Sequence, residues 1–112
     1  MGCIFCQIAK GKIKSEIILK NDDIVAVRDI SPKAKVHIVI FPKKHLAKSA
    51  YERKSNLVLK EVFDAIRSIA KKTGIDKTGF RIVTNHLSDA GQTINHVHFH
   101  LLGGQGLGRM CD

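Results

Sequence analysis

The apolar positions of this chain change period from one stretch to the next, and each change marks an element. The sharpest pattern is His96-Val97-His98-Phe99-His100-Leu101-Leu102, which alternates histidine with an apolar residue. Successive side chains of a β-strand point to opposite faces. The run therefore predicts a strand with Val97, Phe99 and Leu101 toward a core and His96, His98 and His100 on the other face. Val36-His37-Ile38-Val39-Ile40-Phe41 is apolar on both faces, as in a central strand covered from two sides. Leu59, Val62, Phe63, Ile66, Ile69 and Ala70 recur at helical spacing. Lys71 and Lys72 complement the last turn of that helix, and Gly74 fits its C′ position.

Weaker patterns complete the chain. Ile4, Phe5 and Ile8 predict a short helix between Cys3 and Lys10, ended by Gly11. Ile17–Lys20 and Ile24–Arg28 read as two strands of a hairpin about the Asn21-Asp22-Asp23 turn. Ser31-Pro32 breaks the sheet pattern. Ser49-Ala50-Tyr51-Glu52 has the form of a helix capping box. Residues 75–78 read as a connection, Phe80–Thr84 as a strand, and His86–Gly91 as a polar loop on which His86 is solvated. Short links favour antiparallel pairing. The expectation is one α+β domain over residues 1–112. It has a five-stranded antiparallel sheet, one long helix on a sheet face and a short N-terminal helix.

Composition adds limits. At 112 residues with 44% hydrophobic residues, the chain can bury a real core. No apolar run approaches membrane-spanning length. The start Met1-Gly2-Cys3-Ile4-Phe5-Cys6 lacks the features of a signal peptide. Cys6 also stands where a myristoylation motif has Ser or Thr. The expected location is cytoplasmic, with no membrane partner. The net charge of +9 suits polyanions, but the basic residues are spread out. Five Phe and one Tyr do not interleave with them as a single-strand platform requires, so nucleic acid is not the expected partner.

Candidate chemistry centres on histidine and cysteine. Three of the six histidines lie within five residues. Such a row supports either a metal triad or a catalytic row with one imidazole as nucleophile. A solvated strand face is the plain alternative. Three cysteines are too few for a disulfide framework, and Cys3-x-x-Cys6 suggests metal or redox chemistry. Cys111 is assigned no role. Gly103–Gly108 is glycine-rich but lacks the Lys-Ser/Thr of a P-loop.

The alternating histidine run resembles the signature of the histidine triad superfamily. The likeness extends along nearly the whole chain, through Cys3-Ile4-Phe5-Cys6, Asp29-Ile30-Ser31-Pro32, His37 with Pro42-Lys43-Lys44-His45, Asn85, and Ser88-Asp89-Ala90-Gly91-Gln92-Thr93. Leu102-Gly103-Gly104 is similar to the histidine triad nucleotide-binding branch. The resemblance implies hydrolysis at the α-phosphate of a nucleotide, typically a purine nucleoside phosphoramidate. His98 would attack phosphorus, and His100 and His37 would line the phosphate pocket. The Thr93 hydroxyl would serve a phosphate oxygen or the leaving group, and Gln92 the phosphate or bridging oxygen. Backbone N–H groups of Gly91, Gln92 and Thr93 would form an anion-binding turn. Asn85 would lie near ribose and phosphate, and Asp29 would accept the ribose hydroxyls. Phe5, Ile8, Val27 and Ile30 would form the slot for the base. Cys3, Cys6, His45 and His96 match the structural zinc set of zinc-containing members. A homodimer is also implied.

Taken singly, several of these residues have ordinary readings. His37 alone is a hydrogen-bonded core histidine, Asp29 and Asn85 are turn residues, and Thr93 opens a strand. The tail Gln105–Asp112 lacks the aromatic residue common in the branch, Asn95 replaces an aromatic or Pro, and Val27 a larger Phe. Two other functions fit the same residues. One is a dinucleoside polyphosphate hydrolase or nucleotidyltransferase, although Phe99 stands where the transferases have Pro. The other is a zinc-stabilised binding module without turnover.

Overall fold

The computed structural model describes residues 3–110, so Cys111 lies outside the described residues. Five strands form one antiparallel sheet: β1 (Ile17–Lys20), β2 (Ile24–Arg28), β3 (Val36–Pro42), β4 (Phe80–Val83) and β5 (Phe99–Gly103). Their spatial order is β1-β2-β3-β5-β4. Helix α1 (Ile4–Ala9) precedes the sheet, and α2 (Asn56–Thr73) and the single turn α3 (Ile75–Thr78) lie between β3 and β4. This is the expected α+β architecture.

Period-two patterning sorts the sheet into two faces. Ile24, Ala26, Ile38, Ile40, Phe99 and Leu101 pack on Val62, Ile66, Ile69 and Ala70 of α2. On the opposite face Val25, Val27, Val39 and Phe41 receive Phe5 and Ile8 of α1. β3 is the central strand and is covered on both sides, which is why it is apolar on both. The β1–β2 turn forms because the Asn21 side-chain oxygen accepts from the N–H groups of Asp23 (2.8 Å) and Ile24 (2.9 Å). Gly74 ends α2 in the left-handed region at φ 82°, where a Cβ is costly.

Four sequence expectations need correction. Ser49-Ala50-Tyr51-Glu52 is not a helix start. The Glu52 carboxylate accepts from Lys48 N–H at 3.0 Å, a 3₁₀ turn follows at Arg53–Ser55, and α2 begins at Asn56. Residues 75–78 form α3 rather than a plain connection. On α2, Val58 and Ala65 hold core positions, while Phe63 is 38% exposed and Leu59 is half-buried. Finally, the regular ladder of the histidine strand starts at Phe99, not His96. Before it, Val97 N–H finds its acceptor on Ala47 (2.9 Å), after β3 has ended at Pro42. The alternation survives: Val97, Phe99 and Leu101 are each at most 2% exposed.

Candidate nucleotide site and metal centre

The α1 face of the sheet holds a cavity of about 350 Å³. Its floor is apolar because β2, β3 and α1 each turn a branched or aromatic side chain into it: Val27, Val39, Phe5 and Ile8. Ile30, expected beside them, lines the mouth and is 86% exposed. Polar groups share the lining. Asp29 comes from the loop after β2, Asn85, Gly91, Gln92 and Thr93 from the loop after β4, and His98 and His100 from the histidine strand. Ile4, Ile13, Lys14, Ser15, Arg28 and Ile94 also line the cavity. None of these six stands out in the sequence, because each reads as ordinary core or loop.

His98 is 8% exposed. Its Nδ1 lies 2.7 Å from the carbonyl oxygen of His96. Only a protonated ring nitrogen donates to a carbonyl, so Nδ1 carries the proton and Nε2 keeps a lone pair. The Phe5 ring lies 4.8 Å from the His98 ring, centroid to centroid. Burial lowers the His98 pKa, and the hydrogen bond to His96 opposes that only in part. The imidazole is therefore neutral at pH 7. Thr84 holds this strand from behind, its hydroxyl donating to the His98 carbonyl at 2.8 Å. Sequence reasoning missed Thr84, since a threonine ending a strand carries no distinguishing signal.

His37 stands beside His100 rather than His98. β3 and β5 pair antiparallel with Val39 opposite His100, which puts His37 within reach of His100 on the same face. Lys33 N–H donates to His37 Nδ1 at 3.0 Å. The His37 proton must then sit on Nε2, which donates to His100 Nδ1 at 2.9 Å. His100 in turn carries its proton on Nε2. Burial, then the neighbouring His98 and His37, push the His100 pKa down to about 4. Asp29 closes the group, with Oδ1 accepting from Ser31 N–H at 2.8 Å and Oδ2 3.5 Å from His37 Nε2.

The loop after β4 differs from its expected role. Gly91 N–H bonds the Ser88 carbonyl and Gln92 N–H the Leu87 carbonyl, so these two do not form an anion-binding turn. The Gln92 side chain is likewise engaged. Its oxygen accepts from Leu87 N–H (2.8 Å), and its nitrogen donates to the carbonyls of Lys48 (2.6 Å) and Ile94 (3.1 Å). Gln92 thus shapes the loop, and Thr93 remains at the cavity wall. His86 is exposed but tethered, its Nδ1 2.6 Å from the hydroxyl of buried Ser49.

A second cluster joins distant parts of the chain. Donor atoms of Cys3, Cys6, His45 and His96 all lie within 4.8 Å of one another. His96 Nδ1 is 3.2 Å from the Cys3 sulfur and 3.5 Å from that of Cys6, and His45 Nδ1 is 3.4 Å from Cys6. Two thiolates and two imidazoles around a tetrahedral zinc would separate sulfur and nitrogen by roughly 3.5 Å. His96 Nε2 donates to the Pro42 carbonyl at 2.8 Å, which leaves the Nδ1 lone pair facing the sulfurs. These residues can hold a metal ion, and the donor set suits zinc.

A model of the HIT domain matches residues 10–107. The chain belongs to the HIT family. An uncharacterised HIT-like protein of Rickettsia prowazekii is 38% identical over 106 residues, 93% of this chain and 88% of that protein. Among solved HIT structures, a histidine triad protein from Clostridium difficile is 39% identical with a TM-score of 0.91, covering 98% of this chain and 96% of that one. A HIT family hydrolase from Legionella pneumophila is 35% identical, with a TM-score of 0.89 and 96% of each chain covered. The five-stranded antiparallel sheet with its helices is thus a HIT fold. Among the described residues, no helix is long and apolar enough to cross a membrane.

Proposed function

We propose that this HIT protein hydrolyses nucleotides at the α-phosphate, with purine nucleoside 5′-phosphoramidates as the substrate class. One observation carries the reading: His98 is a buried, neutral imidazole whose Nδ1 is committed to the His96 carbonyl, so Nε2 is the nucleophilic nitrogen. It lines a cavity that also holds apolar side chains, which would take the base, and Asp29, which would accept ribose hydroxyls. The similarity to a HIT family hydrolase supports turnover rather than binding alone.

In the proposed reaction the Nε2 lone pair of His98 forms a bond to phosphorus as the phosphorus–nitrogen bond to the leaving amine breaks. The departing nitrogen takes a proton from the Thr93 hydroxyl or from water. The Nε2–H of His100 donates to a phosphate oxygen as charge builds there. Water then attacks the nucleotidyl-histidine, and the Nε2–phosphorus bond breaks with its electron pair returning to Nε2. The water's proton restores the Thr93 hydroxyl or passes to solvent, so nucleoside monophosphate leaves and His98 is regenerated.

Zinc on Cys3, Cys6, His45 and His96 is a structural proposal. Four protein ligands leave no open position, so bound zinc would fasten α1 to the histidine strand without activating water. A homodimer would cover the outer edge of α2, where Phe63 is 38% exposed, and the β4 edge, where Phe80 is 41% exposed. Placement in the cytoplasm is part of the same proposal.

Incubation with an adenosine phosphoramidate and with a diadenosine polyphosphate tests the reading, comparing wild type with His98→Ala. Release of AMP from the phosphoramidate by wild type alone is expected. No AMP from either compound sinks the enzyme, and faster cleavage of the polyphosphate reassigns the substrate.

A further inference from the structure

Beside the nucleotide cavity is a second one of about 270 Å³, lined by Asp29, Lys33, His37, Val83, His100 and Leu102. Donor atoms of Asp29, His37 and His100 lie within 4.8 Å of one another there. We propose that Asp29 Oδ2, His37 Nε2 and His100 Nδ1 bind one transition-metal dication, and that this ion competes with nucleotide.

The donor set selects the metal. Two imidazoles and one carboxylate with open positions suit zinc, cobalt, copper or iron, and not magnesium or calcium, which require oxygen. The frame is rigid. His37 is 4% exposed on the central strand, and His100 pairs with both Val39 and Val83 on the strands at its sides. The two ring nitrogens are 2.9 Å apart, and Asp29 Oδ2 is 3.5 Å from the nearer. His100 Nδ1 already presents a lone pair. His37 Nε2 carries a proton, which must pass through solvent to Nδ1 before Nε2 can coordinate. That exchange releases no net proton but breaks the Lys33 N–H bond to Nδ1. The ion therefore binds here more weakly than at the Cys3, Cys6, His45 and His96 set. Lys33 does not block the cavity with its ammonium, which bonds the Ser31 carbonyl at 3.0 Å.

Competition follows from shared residues, since Asp29 and His100 line both cavities. With Oδ2 on the metal and Oδ1 already accepting from Ser31 N–H, Asp29 becomes a poorer acceptor for ribose hydroxyls, and a His100 ring drawn to an ion loses its alignment on phosphate. This consequence rests on the nucleotide reading above; the metal site itself does not.

The experiment begins with protein given one equivalent of zinc, freed of excess metal and titrated with cobalt(II). The expected result is one further equivalent, with visible d–d bands but no thiolate-to-cobalt charge transfer. Asp29→Asn and His37→Asn, checked for fold by circular dichroism, should each lose it. Adenosine, a poor chelator, should weaken this cobalt binding severalfold. No thiolate-free cobalt spectrum in wild type, or its persistence in either folded variant, overturns the site. Unchanged cobalt affinity with adenosine bound overturns the competition. If a variant misfolds, paramagnetic broadening of the His37 and His100 ring signals in wild type decides, with unbroadened signals counting against the site. Calorimetry of AMP binding before cobalt is added tests the nucleotide reading separately: failure there with normal cobalt uptake removes that reading and leaves the metal site standing.

Discussion

His98 donates its Nδ1 proton to the carbonyl oxygen of His96, two residues back, across 2.7 Å. The same short segment thus supplies both the imidazole and the group that fixes its tautomer. The histidine row also divides by surroundings, because His96 turns its own Nδ1 toward the Cys3 and Cys6 sulfurs. Replacing His98 with Ala should lower AMP release by roughly 10³-fold or more, since the covalent route is lost outright. Single-turnover assays should find nucleotide trapped on wild type and none on the variant.

His100 makes stability depend on pH. Its folded pKa is about 4, depressed by burial and then by His98 and His37, against an unperturbed 6.5. A depressed pKa means that the unfolded chain binds the proton more readily. The stabilisation is complete above pH 6.5 and is lost as pH falls from there toward 4. The loss amounts to on the order of 2–3 kcal/mol. Urea unfolding of wild type and His100→Gln at pH 7.5 and 4.5 checks this, with wild type expected to lose more over the interval.

Thr84 should matter to turnover without touching substrate. Its hydroxyl donates to the His98 carbonyl, so Thr84→Val keeps the shape and removes the bond. A cost of about 1 kcal/mol in stability is expected. The histidine segment would also lose its alignment, so kcat should fall severalfold with KM little changed. Thr84→Ser, which restores the donor, should recover most of kcat.

How far the sequence reveals this arrangement depends on whether local pattern or distant pairing creates it. The core face of β5 follows from period-two alternation, the double burial of β3 from its unbroken apolar run, and α2 from its apolar stripe, because burial imposes those patterns directly. Cys3-x-x-Cys6 and the histidine row are legible as chemistry. Their meeting with His45, and the approach of His37 to His100, depend on which strands become neighbours. His37 carries no local signal of its own, since it lies on a strand that is apolar on both faces, and it stands out only through the family resemblance. The false capping box at Ser49 shows the opposite failure. A local motif matched, but Ser49 and Glu52 were spent on His86 and the Lys48 N–H instead. Gln92 matched the family position, yet its side chain closes the loop on the Lys48, Leu87 and Ile94 backbone.

Gly103 ends β5 in close contact with α3 and the residue after it. A Cβ there would lie 3.0 Å from Ile75 Cγ2 and 3.2 Å from the Gly79 carbonyl oxygen. Ile75 is 1% exposed and cannot move aside freely. Gly103→Ala should therefore destabilise the fold by about 1–3 kcal/mol through overpacking. Thermal unfolding measures it, and an unchanged midpoint would show that α3 yields. Gly106→Ala, with nothing within 4 Å of its added Cβ, is the control.

Metal removal should act on the proposed base slot through α1. Cys3 and Cys6 flank Phe5, whose ring stacks on Phe41 at 4.5 Å and covers His98 at 4.8 Å. α1 has only six residues, too few to hold a helix alone. Its own anchors are Phe5 and Ile8, so a metal joining it to His45 and His96 would supply much of its docking. Cys6→Ser, or chelation at pH 7, should lower the unfolding midpoint by several degrees and raise the KM for nucleotide more than it lowers kcat. The split follows from the division of parts: Phe5 and Ile8 line the cavity proposed to take the base, whereas the His98 tautomer is held by the His96 carbonyl and does not need the thiolates. Chelated protein that keeps its bound metal count at zero, its melting midpoint and its KM would show that α1 docks without metal. A fall in kcat alone would place the metal's influence on His98 instead of on the slot.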